Sequence, residues 1–324
     1  MIPVVDMSKR ILGLVLVLLF FGLFPFISRS DYYIHVMILA LMWVIVGSAW
    51  NLLAGYTGQV SFGHAVFFGT GAYTAGLFVT KLGISAWWGM AFGGLAAVLV
   101  GLFIGGVCFR LRGPYFALAT IAMGEIFRLV ATNWKGFTEG MLGILIMQTF
   151  TSKLPYYYLI LALAVLCIYS MKKIMESRWG YYFLAIRENQ DVAESLGISS
   201  TFCKNISLAI SAFFTGTAGA FYMNYMAFID PEVVFSLYHV SIMAILVGII
   251  GGVATLYGPA VGAFIMVGVQ EIFRSSLFGL APRWMSELHV LVFGLLVIFV
   301  ILFLGNGIVG DWKKITRAIL RSSR

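Results

Sequence analysis

Two pairs of ionisable residues recur inside otherwise apolar sequence. Glu125 and Arg128 stand three residues apart, and Glu271 and Arg274 repeat that spacing. Residues three apart share a helical face, so each glutamate can pair with its arginine. A lone charge near the centre of a bilayer costs roughly 2.5–3.5 kcal/mol on insertion scales, and pairing lowers that cost. Two uses fit this pattern: pairs that line or gate a polar path, or structural pairs close to a membrane face.

A second group of polar residues sits among glycines at 50–64, where Gly55, Gly58 and Gly63 alternate with Gln59, Ser61 and His64. Glycine permits sharp turns and close approach of helices. An interrupted helix also offers its backbone groups to a polar solute. Close packing through small residues, with His64 a hydrogen-bonded interior histidine, is the competing use. A third group lies at 176–199. Written as one amphipathic helix, it puts Phe183, Ile186, Ala193 and Leu196 on one face and Arg187, Glu188, Asp191 and Glu194 on another. Arg187 and Asp191 then form an i,i+4 pair, and Gly197 caps the C-terminus. Helices that lie on lipid are usually basic on the polar face. Three acids beside one arginine suit a protein partner better.

No catalytic constellation accompanies these groups. His35, His64, His239 and His289 are far apart and lack metal-ligand spacing. The sequence contains no HExxH, GxSxG or Walker A pattern, so any ATP hydrolysis must come from another chain. Cys108, Cys167 and Cys203 are too few and too scattered for a disulfide framework.

The elements that must hold these residues are membrane helices. Of 324 residues 61% are hydrophobic and 10% charged, with a mean hydropathy of +0.98. That excludes a water-soluble globule and a disordered chain. Continuous apolar runs, rather than short alternating ones, argue against a β-barrel. About twenty apolar residues make a span. The expected spans are 11–27, 31–54, 59–79, 84–109, 115–131, 154–171, 205–228, 237–256, 258–275 and 286–305, about ten in all. The stretch 31–79 is nearly continuous and admits a broken or re-entrant helix. The first run is longer than a usual signal-peptide core and lacks an A-x-A-like site after it, so an uncleaved first span is expected.

With the N-terminus inside, fourteen of the 21 lysines and arginines fall in inner segments and five in outer ones; Arg128 and Arg274 lie in spans. This bias places both termini in the cytoplasm. It also accounts for the net charge of +8 without nucleic acid. The whole chain, 1–324, reads as a single all-α transmembrane domain with an outer loop at 132–153 and an inner one at 172–204. Glu125–Arg128, Phe67–Phe68 and Gly113–Pro114 recur as Glu271–Arg274, Phe213–Phe214 and Gly258–Pro259 at a shared offset of about 146 residues, the mark of duplicated halves. Two separate spans within 31–79 make the copies parallel, and one broken helix makes them inverted.

The stretches WNLLAGYTGQVSFGHAVFFGTGAYTAGLF (50–78), LRGPYFALATIAMGEIFRLV (111–130) and RWGYYFLAIRENQDVAESLGIS (178–199) closely resemble the LivM type of branched-chain amino-acid ABC transporter permease. GGVATLYGPAVGAF (251–264) fits as well. The resemblance covers roughly 50–305. It implies a non-enzymatic, multi-pass subunit of the bacterial inner membrane. Such a subunit pairs with a homologous LivH-type permease, is driven by two cytoplasmic ABC ATPases and is supplied by a periplasmic substrate-binding protein. ATP and Mg would then be bound by the partner ATPases and no cofactor by this chain, whose remaining contact is membrane lipid.

The resemblance also assigns 178–199 to the ATPase-docking loop of the family. The alanine and glycine of that motif fall on Ala193 and Gly197, preceded by Arg187, Glu188 and Asp191. Tyr181-Tyr182-Phe183 departs from relatives that carry a small and a basic residue after the glycine. The expected coupling surface is Phe183, Ile186, Arg187, Glu188, Asp191, Ala193, Glu194, Leu196 and Gly197, with 183–196 acting as a rigid lever. The expected translocation path draws on Gly58, Gln59, Ser61, Gly63, His64, Glu125, Arg128, Glu271 and Arg274. The outer loop 132–153 would help dock the binding protein. Branched-chain amino acids, other amino acids, urea and short-chain amides all remain open as substrates.

Overall fold

The computed structural model describes residues 19–26, 28, 30–274, 294–295, 298, 302 and 307–311. Most of the expected span 286–305 and much of 11–27 therefore lie outside the described residues; 19–26 are helical. The protein is a helical bundle. Helix α1 (Asp31–Asn51) runs into a π-helical turn at Leu52–Tyr56, followed by α2 (His64–Leu82), α3 (Ala86–Cys108) and α4 (Pro114–Asn133). After an irregular stretch containing strand β1 (Ile144–Leu145) come α5 (Leu154–Glu176), α6 (Arg178–Glu188), α7 (Gln190–Ser195) and α8 (Ser200–Met226). Strand β2 (Phe228–Ile229), the short α9 (Pro231–Val234), a second π-helical segment at Leu237–Ile242, α10 (Met243–Gly251) and α11 (Gly258–Arg274) follow. Six helices among the described residues are long and apolar enough to cross a membrane.

Helices α2, α3 and α8 pack along a seam of small residues. Gly93, Ala97, Gly101 and Gly105 recur every fourth residue, so they form one stripe along α3. That stripe lies on α8: a Cβ on Gly93 would stand 3.0 Å from Ala220, and one on Gly101 3.0 Å from Ala212. A Cβ on Gly71 of α2 would overlap the main chain of Gly216 in α8. Helix association in lipid relies on such close backbone approach, because lipid tails are as apolar as leucine. The opposite face of α3 carries Trp88, Phe92, Leu95, Leu99 and Phe103, all exposed, as a lipid-facing surface requires.

These contacts also decide the sense of the repeat. His64 meets Ser211, Gly71 meets Gly216 and Gly76 meets Met223, so α2 and α8 run side by side in the same direction. Each pair is separated by about the repeat offset. The equivalent helices of the two copies are thus parallel and packed on each other. The stretch 31–79 is two helices joined by a wide turn, so span 59–79 shortens to His64–Leu82 and leaves Gln59 and Ser61 outside it.

Two ends of the bundle can be told apart by their contacts. At one end, β1 and β2 pair antiparallel with Ile144 opposite Ile229, and Lys81 donates to the Gly136 carbonyl at 2.7 Å. Tyr32 donates to Glu271 at the same end, at 2.9 Å. At the other end, the turn at 57–63, the turn at 109–113, helices α6 and α7, and the turn at 252–257 come together.

Candidate functional site

The turn at 57–63 owes its shape to a buried polar knot. The π-helical turn Leu52–Tyr56 widens the end of α1, a rare conformation that is frequent at functional sites. Asn51, just before it, accepts the Ala254 N–H at 2.8 Å and donates to the Thr255 carbonyl at 2.9 Å. One side-chain amide thereby fastens the α10–α11 turn. Trp50 donates its indole N–H to the Ser61 carbonyl at 3.0 Å, and the Ser61 hydroxyl accepts from Gly63 N–H at 3.1 Å. Phe62 N–H donates to Thr120 Oγ1 on α4 at 3.0 Å, and Ala65 N–H to Ser241 Oγ in the second π-helical segment at 2.9 Å. His64 is fully buried with Nε2 2.8 Å from Ser211 Oγ on α8.

Gly58 faces outward from this knot. Its φ is +74°, and a Cβ there would stand 3.3 Å from the Cα of Arg187 in α6. The turn therefore rests on the main chain of α6. Gln59 is half-buried and donates weakly to the Thr57 carbonyl at 3.4 Å. Gly58, Gln59, Ser61, Gly63 and His64 thus lie together at one end of the bundle. Arg128 and its partners lie towards the other.

The first expected charge pair forms and gains a further partner. Arg128 bonds Glu125, with Nε to Oε2 at 3.0 Å, and also forms an ion pair with Glu232 of α9. The i,i+3 pair is accordingly part of a three-residue cluster that ties α4 to α9. In the second copy, Glu271 is buried and accepts from Tyr32. The side chain of Arg274 lies outside the described residues.

The expected single lever at 183–196 is two rods. Asn189 breaks it at φ −159° and accepts the N–H groups of Asp191 and Val192, capping α7 as a new helix. Phe183, Ile186 and Ala193 are buried, whereas Leu196 is 77% exposed, because α7 ends at Ser195 and Leu196 is its C-cap. Asp191 does not pair with Arg187. It accepts from Arg112, in the turn before α4, at 2.8 Å. Gln190 accepts from the buried Lys204 at 2.7 Å, and Glu194 accepts from Ser200 and Gln190. Those two hydrogen bonds, that from Ser200 first, hold the Glu194 carboxyl below the usual carboxylate range. Gly197 takes φ +86°, with Ile198 N–H bonded to the Ala193 carbonyl and Gly197 N–H to that of Glu194, the double bond of a Schellman end. Arg187 and Glu188 close α6 at the solvent-facing side of the segment.

Residues 32–301 match the family model described as the permease component of the branched-chain amino acid transport system. The chain belongs to that family. The high-affinity branched-chain amino acid transport system permease protein LivM of Escherichia coli K12 is 26% identical over 95% of this chain and 77% of its own length. LivM of Salmonella typhimurium LT2 gives the same values. The LivH permease of Salmonella typhimurium is 25% identical over 82% of this chain and 93% of its own. The similarity to LivM thus extends over more of the permease, as the sequence motifs imply. The protein is a multi-pass transport subunit of the all-α type.

Asn51, Arg112, Thr120, Asn189, Ser241 and Glu232 escape the sequence reading. Only Asn189 carries a local signal, a helix-capping residue directly before Gln190-Asp191. The others act across more than 50 residues of sequence, beyond the reach of periodicity.

Proposed function

We propose that the permease is the LivM-type half of an ATP-driven importer for branched-chain amino acids in a bacterial inner membrane. A LivH-type permease completes the path, two cytoplasmic ATPases carrying ATP and Mg drive it, and a periplasmic binding protein delivers the solute. The observation that carries this reading is the pair of rods, α6 and α7, exposed at one end and seated on the polar knot at Gly58. The lysine and arginine bias assigns that end and both termini to the cytoplasm. ATP closes the ATPase dimer, the rods shift, and the helices joined to them open the path outward. Hydrolysis returns it. Such a path needs only weak contacts with its solute, since tight binding would slow release, and the binding protein sets specificity.

The test is uptake of radiolabelled leucine by proteoliposomes holding both permeases and both ATPases, with the binding protein present. The expected result is uptake that requires ATP and is lost in Glu188→Lys. Uptake by this chain alone without ATP would make it a passive carrier. Uptake of urea or acetamide in place of leucine would keep the mechanism and change the substrate.

A further inference from the structure

We propose that residues 51–65 are a transmission knot that carries displacement of α6 into both copies of the repeat, with Gly58 and Asn51 as its positioning residues. The inference rests on the importer reading above. A connection between neighbouring helices needs only a few residues and local bonds. This one instead bonds to four separate elements and rests on a fifth. Gly58 bears on α6, Phe62 N–H reaches Thr120 of α4, and His64 reaches Ser211 of α8. Ala65 N–H reaches Ser241 in the second π-helical segment, and Asn51 holds Ala254 and Thr255 between α10 and α11. Thr120 belongs to the first copy, and Ser211, Ser241 and Ala254 to the second.

The main chain of Gly58 bears on Arg187 of α6. A Cβ at 58 would stand 3.3 Å from both its Cα and its Cγ, so α6 has to give by a few tenths of an ångström. The φ of +74° adds a second demand for glycine. Ala254 has φ +58° without being glycine, and its N–H is the one Asn51 accepts. A backbone in that region persists only where its surroundings hold it. Both π-helical segments end in this knot, so each has a neighbour able to follow its movement.

The experiment measures leucine uptake and ATP hydrolysis together in the four-component proteoliposomes, reported as leucine moved per ATP. Gly58→Ala is expected to lower that ratio about tenfold, within the range usual for coupling between sites, while hydrolysis changes little. Asn51→Asp keeps the acceptor and loses the donor to Thr255, and is expected to lower the ratio about threefold, a weaker coupling loss. It decides the matter should Gly58→Ala fail to assemble. Unchanged ratios overturn the knot and leave the importer reading standing. Uptake and hydrolysis falling in equal proportion show a merely structural turn and overturn it too. Absence of ATP-driven leucine uptake in the unmodified complex sinks the importer reading itself.

Discussion

The seam between α2, α3 and α8 and the knot at 51–65 are both buried and both glycine-rich, yet they are built from opposite materials. The seam has almost no side chains. Gly71, Gly93, Gly101 and Gly216 let main chains touch, and the attraction is dispersion over a long stripe. The knot is polar: Asn51, Ser61, Thr120 and Ser241 bond the backbone, and His64 Nε2 bonds Ser211. A close-packed seam has one arrangement and moves as a body. Hydrogen bonds between separate elements can be exchanged one at a time, which suits a joint. The difference implies that seam substitutions damage the fold, whereas knot substitutions damage coupling first.

The contrast breaks most visibly at Gly71. Gly71→Leu forces a side chain into the Gly216 main chain and is expected to cost about 3 kcal/mol or more, as overpacking does at its severe end. Thermal unfolding in detergent reads this as a large fall or as loss of monodisperse protein. Gly106→Ala on the neighbouring helix α3 meets nothing within 4 Å and should stabilise by up to about 1 kcal/mol. In the knot, Thr120→Val removes the acceptor of Phe62 N–H and should cost about 1–2 kcal/mol, leaving the complex assembled.

Smaller effects belong to the surface that fastens α7. Arg112→Ala breaks an exposed ion pair with Asp191 and should cost under about 1 kcal/mol, less in high salt. Exchange of the two charges in Arg112→Asp with Asp191→Arg should restore it. Glu194 gives the least. Its carboxyl titrates below the ordinary 4.5, so its contribution is full above that value and disappears as pH falls through the lowered one. Unfolding temperature measured from about pH 6 to about pH 3 should lose a small decrement that Glu194→Gln lacks.

The sequence shows the spans from Leu154 and Ser200 onward within a few residues, because apolar length alone marks them. The repeat was legible from Phe67–Phe68 and Phe213–Phe214, but its sense was not. Parallel packing depends on which glycines meet, and Gly71 gives no hint that Gly216 is its neighbour. Phe183, Ile186 and Ala193 share a buried side as helical periodicity requires. Leu196 does not, since periodicity assumes a helix that continues and α7 ends at Ser195. Glu125 and Arg128 pair as their spacing implies, while Glu232, 104 residues beyond Arg128, is invisible to spacing.

The central claim is that α6 and α7 form the seat of a nucleotide-hydrolysing partner, and site-specific photocrosslinking tests it most directly. A photoreactive residue in place of Leu196, whose side chain is exposed, is introduced into the assembled four-component complex. The account predicts an adduct with an ATPase subunit, reduced when ATP turnover is stalled in one state. An intact, transporting complex that yields no ATPase adduct from Leu196, Val192 or Glu188 would contradict it.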